Sequence, residues 1–203
     1  MDERQTSFLR HVQLYFEESI LTDTTLTCKG ARFEVHRFVL ACHSEFFLNA
    51  FRSEWNEAKP GTMDLSEDEP GIIQALVEYV YHLDYTCFPD TGDIYTLLFH
   101  AKVFKLADKY DIYHLRKLAL ARVKSIDLNY LLFPVVADLI RMAYAPGTHT
   151  SELRQELLNA IIPTILTLQV DPDFQDLYMT MPEFARDIVN ETTRSRKTFL
   201  PLE

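Results

Sequence analysis

The sequence predicts an α+β fold, in which a small three-stranded sheet is flanked by a cluster of helices and followed by a C-terminal all-helical extension. Three observations predict it. Between Asp23 and Phe51 the apolar period changes from two, the repeat of a half-buried strand, to an unbroken apolar run and clustered phenylalanines. A further short strand signal, Met63-Asp64-Leu65, follows the turn residues Lys59-Pro60-Gly61. From Asp127 onward the apolar pattern is helical.

The elements follow in order. Phe8, Val12, Phe16 and Ile20 recur every fourth residue, the stripe of an amphipathic helix over about 6–20. Leu26 and Cys28 alternate with Thr25 and Thr27 in a first strand, Lys29-Gly30 supplies a tight turn, and Phe33 and Val35 alternate with Arg32 and Glu34 in a second. Phe38 to Cys42 is apolar without a break, which predicts a fully buried helix. Ser44 is suited to cap a short helix carrying Phe46, Phe47, Ala50 and Phe51 on one side. Ser66-Glu67-Asp68-Glu69-Pro70 reads as a helix start whose acids answer the helix dipole, ahead of Ile73, Leu76, Val77 and Val80. Tyr85 to Phe88, closed by Pro89, is suited to an edge strand. Ile94, Leu97, Leu98 and Ala101 open another helix, and Asp111 is placed to cap its successor, with Ile112, Leu115, Leu118 and Ala119 inward. Beyond it lie a helix through Leu131–Ile140, one through Leu153–Ile162 that Pro163 bends or breaks, and one from Pro182 through Phe184, Ile188 and Val189. The tail from Thr192 reads as frayed.

Composition narrows the function. The chain has 203 residues, 47% hydrophobic, with a formal net charge of −10. That charge repels phosphate backbones and anionic lipid, which argues against nucleic acid and membranes as partners. The run Arg194-Ser195-Arg196-Lys197 is a local exception and reads as a solvated tail. Three cysteines, Cys28, Cys42 and Cys87, form no CxxC pair; two of them fall on core-facing positions, the usage of a reducing compartment. The charged N-terminus lacks an apolar signal region and no apolar window is long enough to span a bilayer, so a cytoplasmic or nuclear location is expected.

The residues Asp23, Gly30, Phe33, His36-Arg37, Val39-Leu40, Ser44, Phe47 and Phe51 together resemble the opening of the BTB/POZ domain family. The resemblance continues through Glu54-Trp55-Asn56-Glu57, Met63-Asp64-Leu65, Tyr79–Tyr85, Ala107-Asp108-Lys109-Tyr110 and Leu115; it covers about residues 15–124 and is closest in style to fungal members. It implies a BTB/POZ domain over 1–124 and a helical extension over 125–203 packed on it. It also implies a non-catalytic protein-interaction module that homodimerises and recruits partners. Asp23 and Arg37 match the acid and base that line a charged pocket at the family's dimer interface, and the alternative is a surface ion pair worth about 0–1 kcal/mol. The helix bearing Phe8, Val12 and Phe16 matches one that packs across the dimer, and the alternative is core packing in its own chain.

Trp55-Asn56-Glu57 places the sole tryptophan beside a carboxylate, a hot-spot composition, and resembles the hydrophobic-x-Glu motif by which BTB adaptors grip the cullin-3 scaffold of ubiquitin ligases. Tyr110 lies where the family's cullin-facing surface is completed. The competing reading is an oligomerisation scaffold of a transcription-associated or other regulatory complex with no ligase link. An enzyme is the weakest of the three. The five glycines form no phosphate-cradling loop, there is no GxSxG, and Cys42-His43-Ser44 lacks an orienting third group. His36 reads as fixing a turn, and the other histidines, at 11, 43, 82, 100, 114 and 149, show no HxxxH or HExxH spacing, so no metal or other cofactor is expected.

Overall fold

The structure, a computed structural model, describes residues 3–52, 61–87, 94–126, 133–145 and 150–199. It divides into two compact units, Met1–Asp90 with Lys102–Ala119, and Thr91–Ala101 with Leu120–Glu203.

The first unit opens with α1 (Glu3–Glu17), closed by a left-handed Ser19 whose N–H bonds Phe16 O while Ile20 N–H reaches back to Tyr15 O. That pair of bonds satisfies carbonyls a helix end otherwise leaves orphaned. Strands β1 (Thr24–Cys28) and β2 (Ala31–Val35) pair antiparallel, Thr24 opposite Val35 and Cys28 opposite Ala31. Lys29 and Gly30 both have positive φ, +45° and +91°, as a two-residue hairpin turn requires. Strand β3 (Thr62–Asp64) joins β1 in parallel, giving the sheet order β2-β1-β3. The alternation predicted for β1 is present: Leu26 and Cys28 are fully buried, and Thr25 and Thr27 are half-buried.

Two short helices, α2 (Arg37–His43) and α3 (Glu45–Arg52), follow the hairpin. Ser44 caps α3 as predicted, its hydroxyl accepting from Phe47 N–H (3.1 Å) while donating to Tyr110 O (2.6 Å). Helix α2 corrects the expectation of full burial. Only Leu40 of it is buried, Phe38 is 71% exposed, and Cys42, one turn on, is exposed. An apolar run of five residues circles a helix, so some of it faces outward wherever one face packs.

Helix α4 (Pro70–His82) is the centre of the first unit, with Ile73, Leu76, Val77 and Tyr81 at most 1% exposed. The acids before it stand at its N-terminus and also make ion pairs, with no side-chain cap from Glu69. Asp68 and Glu67 reach Lys109 (2.9 and 3.5 Å) and Glu69 pairs with Lys102 (2.7 Å), two lysines of α5 (Ile94–Lys109). The expected edge strand does not form over its described residues, Tyr85–Cys87, because the backbone N–H and hydroxyl of Thr86 are taken by the Glu78 carboxylate (2.8 and 2.7 Å). Asp111 does not cap α6 (Tyr113–Ser125). It ends α5 in a left-handed conformation, φ +51°, with Ile112 N–H bonded to Ala107 O.

In the second unit, α7 (Phe133–Ala143) and α8 (Ser151–Ile161) match the predicted helices, and Pro163 breaks the chain into a 3-10 turn before the short α9 (Ile165–Leu168). Helix α10 (Pro172–Thr180) was not predicted, although Asp171 before Pro172 is the cap-and-proline start of a helix; Asp171 Oδ1 accepts from Asp173 and Phe174 N–H. Helix α11 (Pro182–Phe199) runs through the segment expected to fray.

Candidate interaction surface

The corner where α1 meets the hairpin is organised by Tyr81, from the buried α4. The Phe16 ring stacks on the Tyr81 ring at 4.0 Å and 11°, and Gln13 donates to Tyr81 O at 3.1 Å, so α1 is docked on α4 within its own chain. The Tyr81 hydroxyl lies 2.9 Å from His36 backbone N and 2.8 Å from His36 Nδ1, and His36 Nε2 lies 2.8 Å from Ile20 O. A carbonyl can only accept, so Nε2 carries the imidazole proton. Nδ1 then accepts from the Tyr81 O–H, whose oxygen accepts from the His36 amide. Every group in this chain of bonds is satisfied, and His36 fixes the strand-to-helix turn as the sequence predicts. Burial pushes the Tyr81 phenol up to about 12, with the Asp23 charge adding and the His36 amide opposing.

Asp23 and Arg37 are brought together, through the backbone and not through opposite charges. Asp23 Oδ1 accepts from Arg37 N–H at 2.8 Å and so supplies the first turn of α2 with the cap that His36, engaged elsewhere, does not give. The Arg37 guanidinium lies over the Phe51 ring, 5.6 Å from its centroid, and its Nε is buried with no hydrogen-bond partner among the described residues. Around this junction Leu21 is 77% exposed and Phe38 71%. On α1, Phe8 is 61% exposed, Val12 half-buried and Phe16 covered in part by Tyr81.

Trp55, Asn56 and Glu57 lie outside the described residues. Tyr110 is 2% exposed: its ring stacks on Phe47 (5.4 Å, 19°) and meets Phe46 edge-on, and its hydroxyl donates to Asp68. Burial first, and then the Asp68 carboxylate, raises its phenol far above the ordinary tyrosine value. The side chain is thus a tie between α3, α4's approach and the end of α5, and presents almost nothing to solvent. Sequence reasoning missed Tyr81 and Asp68 as organising residues; the Tyr79-Val80-Tyr81 segment signals burial, but nothing in it marks which hydroxyl meets His36, 45 positions earlier. Among the described residues no group of three or more His, Cys, Asp or Glu side chains is placed to hold a metal ion, and no helix is long and apolar enough to cross a membrane.

Comparison with known proteins places this geometry. The BTB/POZ domain family model matches residues 12–127, more than half of the chain. The chain belongs to the BTB/POZ domain family. Its BTB region is similar to Kelch repeat and BTB domain-containing protein 4 of Homo sapiens, 35% identical over 71 residues, which are 35% of this chain and 13% of that protein. It is also similar to BTB/POZ and MATH domain-containing protein 5 of Arabidopsis thaliana, 34% identical over 108 residues, 48% of this chain and 26% of that one. The match thus spans about an eighth to a quarter of the length of these relatives. In fold it resembles the BTB domain of zebrafish PATZ1, with a TM-score of 0.50 at 13% identity, covering 62% of this chain and 95% of that one. BTB domains are protein-interaction modules, and the corner described above combines exposed apolar side chains with a hydrogen-bonded polar frame.

Proposed function

We propose that this chain homodimerises through the corner formed by α1, Asp23 and Arg37 and recruits a cullin-3-type ubiquitin-ligase scaffold, acting as a non-catalytic adaptor. The observation that carries the first half is the Arg37 Nε, buried without a hydrogen-bond partner among the described residues, next to Leu21 and Phe38, which are 77% and 71% exposed. An unpaired buried donor is costly, and the exposed Leu21 and Phe38 beside it are apolar surface that a second copy would cover. The second half rests on the resemblance of Trp55-Asn56-Glu57 to the cullin-gripping motif.

Two experiments test the halves separately. Analytical ultracentrifugation should find a dimer whose dissociation is markedly easier in Asp23→Asn and Arg37→Gln, since a charge desolvated at the interface and then left without its partner costs about 3–5 kcal/mol. Unchanged dissociation in both variants removes the dimer proposal. A cullin-3 pull-down should succeed with wild type and fail with the Trp55→Ala/Glu57→Ala variant. Failure of the wild type to bind leaves the oligomerisation scaffold with no ligase link as the reading.

A further inference from the structure

Strand β2 lies at the edge of the sheet, outside β1 in the order β2-β1-β3. Two bonds on the far side of β1 fix which way its groups face. Thr25 N–H donates to Gly61 O (2.7 Å) and Thr27 O accepts from Leu65 N–H (2.7 Å), so Thr25 and Thr27 bond toward β3. Bonding direction alternates along a strand, so Thr24, Leu26 and Cys28 bond toward β2, where they stand opposite Val35, Phe33 and Ala31. The backbone N–H and C=O of Arg32 and Glu34 therefore point away from the sheet, and among the described residues nothing bonds them.

That edge is open. Its register with β1 runs one residue to one without a bulge, and the strand holds neither proline nor lysine, the usual means of blunting an edge. Its ends are defined: Lys29 and Gly30 form the hairpin turn, and the His36 N–H is taken by the Tyr81 hydroxyl (2.9 Å). The two residues that present free backbone groups also have exposed side chains of opposite charge, and neither makes an ion pair among the described residues.

A second copy of the same edge fits this one. When two β2 strands run antiparallel about a two-fold axis at Phe33, Arg32 stands opposite Glu34 of the second copy, and Glu34 opposite its Arg32. Both residues bond outward, so each such pair exchanges two backbone bonds and the axis doubles them to four. Directly opposed side chains start about 5 Å apart, so each arginine also meets a carboxylate. Sliding the strands by two residues halves the bonds within the strand and sets like charges against each other. Sliding by one puts the bonding groups out of phase.

We propose that β2 pairs edge to edge with β2 of a second copy of this chain, Arg32 against Glu34, joining two three-stranded sheets into one of six strands. The contact goes beyond the corner dimer, and the charge swap that tests it touches neither Asp23 nor Arg37.

The test is sedimentation equilibrium of the full chain over a concentration series. Arg32→Glu sets carboxylate against carboxylate across the contact and should raise its dissociation constant at least about tenfold, as should Glu34→Arg. Arg32→Glu/Glu34→Arg restores opposite signs and should return to within about threefold of wild type. Glu34→Pro deletes an outward donor and keeps the bonds to β1, and should weaken association about tenfold. A denaturant midpoint for each variant separates loss of fold from loss of contact. A wild type that stays a single chain, unchanged association in Arg32→Glu, or no recovery in the double variant overturns the proposal. Loss of the dimer in Asp23→Asn and Arg37→Gln together with indifference to the charge swap also overturns it, and assigns self-association to the corner alone.

Discussion

The corner around Tyr81 and a groove of the second unit between α9, α10 and α11, walled by Leu166, Met179 and Val189, both expose apolar side chains, but they are held in shape differently. In the corner, polar groups bond across long stretches of sequence: His36 to Tyr81, Asp23 to Arg37, Gln13 to Tyr81. In the groove they bond within a turn or so, Thr192 to Ile188, Thr193 to Val189 and Gln175 to Gln169. Long-range bonds make a surface exact and also make it fragile, because losing one partner strands another buried group. Local bonds leave a surface whose side chains can change without loss of the frame beneath.

The largest break in this contrast comes from Tyr81. Tyr81→Ala removes an aromatic side chain that is 1% exposed and should cost about 3–5 kcal/mol in denaturant titration. Tyr81→Phe keeps the ring against Phe16 and deletes only the hydroxyl, orphaning the His36 amide and Nδ1, and should cost about 1–3 kcal/mol. In Tyr81→Phe/His36→Ala the losses should add to less than their sum, because the two changes remove one network. Additive losses would mean that the corner is no more connected than the groove.

A smaller effect is expected at Asp171, whose carboxylate caps α10. Asp171→Ala should cost about 0.5–2 kcal/mol and Asp171→Asn much less, since the amide oxygen still accepts from Asp173 and Phe174 N–H. Met179→Asn should sit within about 0.5 kcal/mol of wild type, as surface changes do. A loss at Met179 comparable with that at Asp171 would show that the groove is closed in solution.

The same contrast explains what was legible in the sequence. Strands β1 and β2, their two-residue turn and the Ser44 cap are written in periods and caps a few residues long, and the structure has each of them. The candidate site was legible as positions but not as bonds. Asp23 and Arg37 meet, yet through an amide, because the carboxylate caps α2 while the His36 side chain is drawn to Tyr81 and Ile20. The lysine partners of the acids at 67–69 were not legible because they lie more than thirty residues downstream. Helix α10 was overlooked although its Asp-Pro start is local. Its apolar residues Phe174, Leu177 and Tyr178 are few, and the side of the helix bearing Met179 is exposed, so the stripe is narrow.

The finest difference between the two regions is in their response to pH. Among the described residues none of the groove's side-chain bonds involves a titratable group, whereas the first unit holds Thr86 on a carboxylate, Glu78. Burial works to raise the Glu78 carboxyl, and the two bonds from Thr86 with one from Gln74 outweigh it, so it lies below its ordinary value. A carboxylate depressed in the folded state binds its proton more readily when unfolded. Its contribution is therefore complete above the unfolded value and is lost as pH falls through the lower folded one. Denaturant midpoints measured from pH 6 downward, through the unfolded glutamate value of about 4.3, should fall less steeply in Glu78→Gln than in wild type. Thr86→Val, which keeps the amide bond and deletes the hydroxyl, should lie between them. Parallel pH profiles for the three proteins would show that the Glu78 clasp is not what holds residues 84–87 out of a strand.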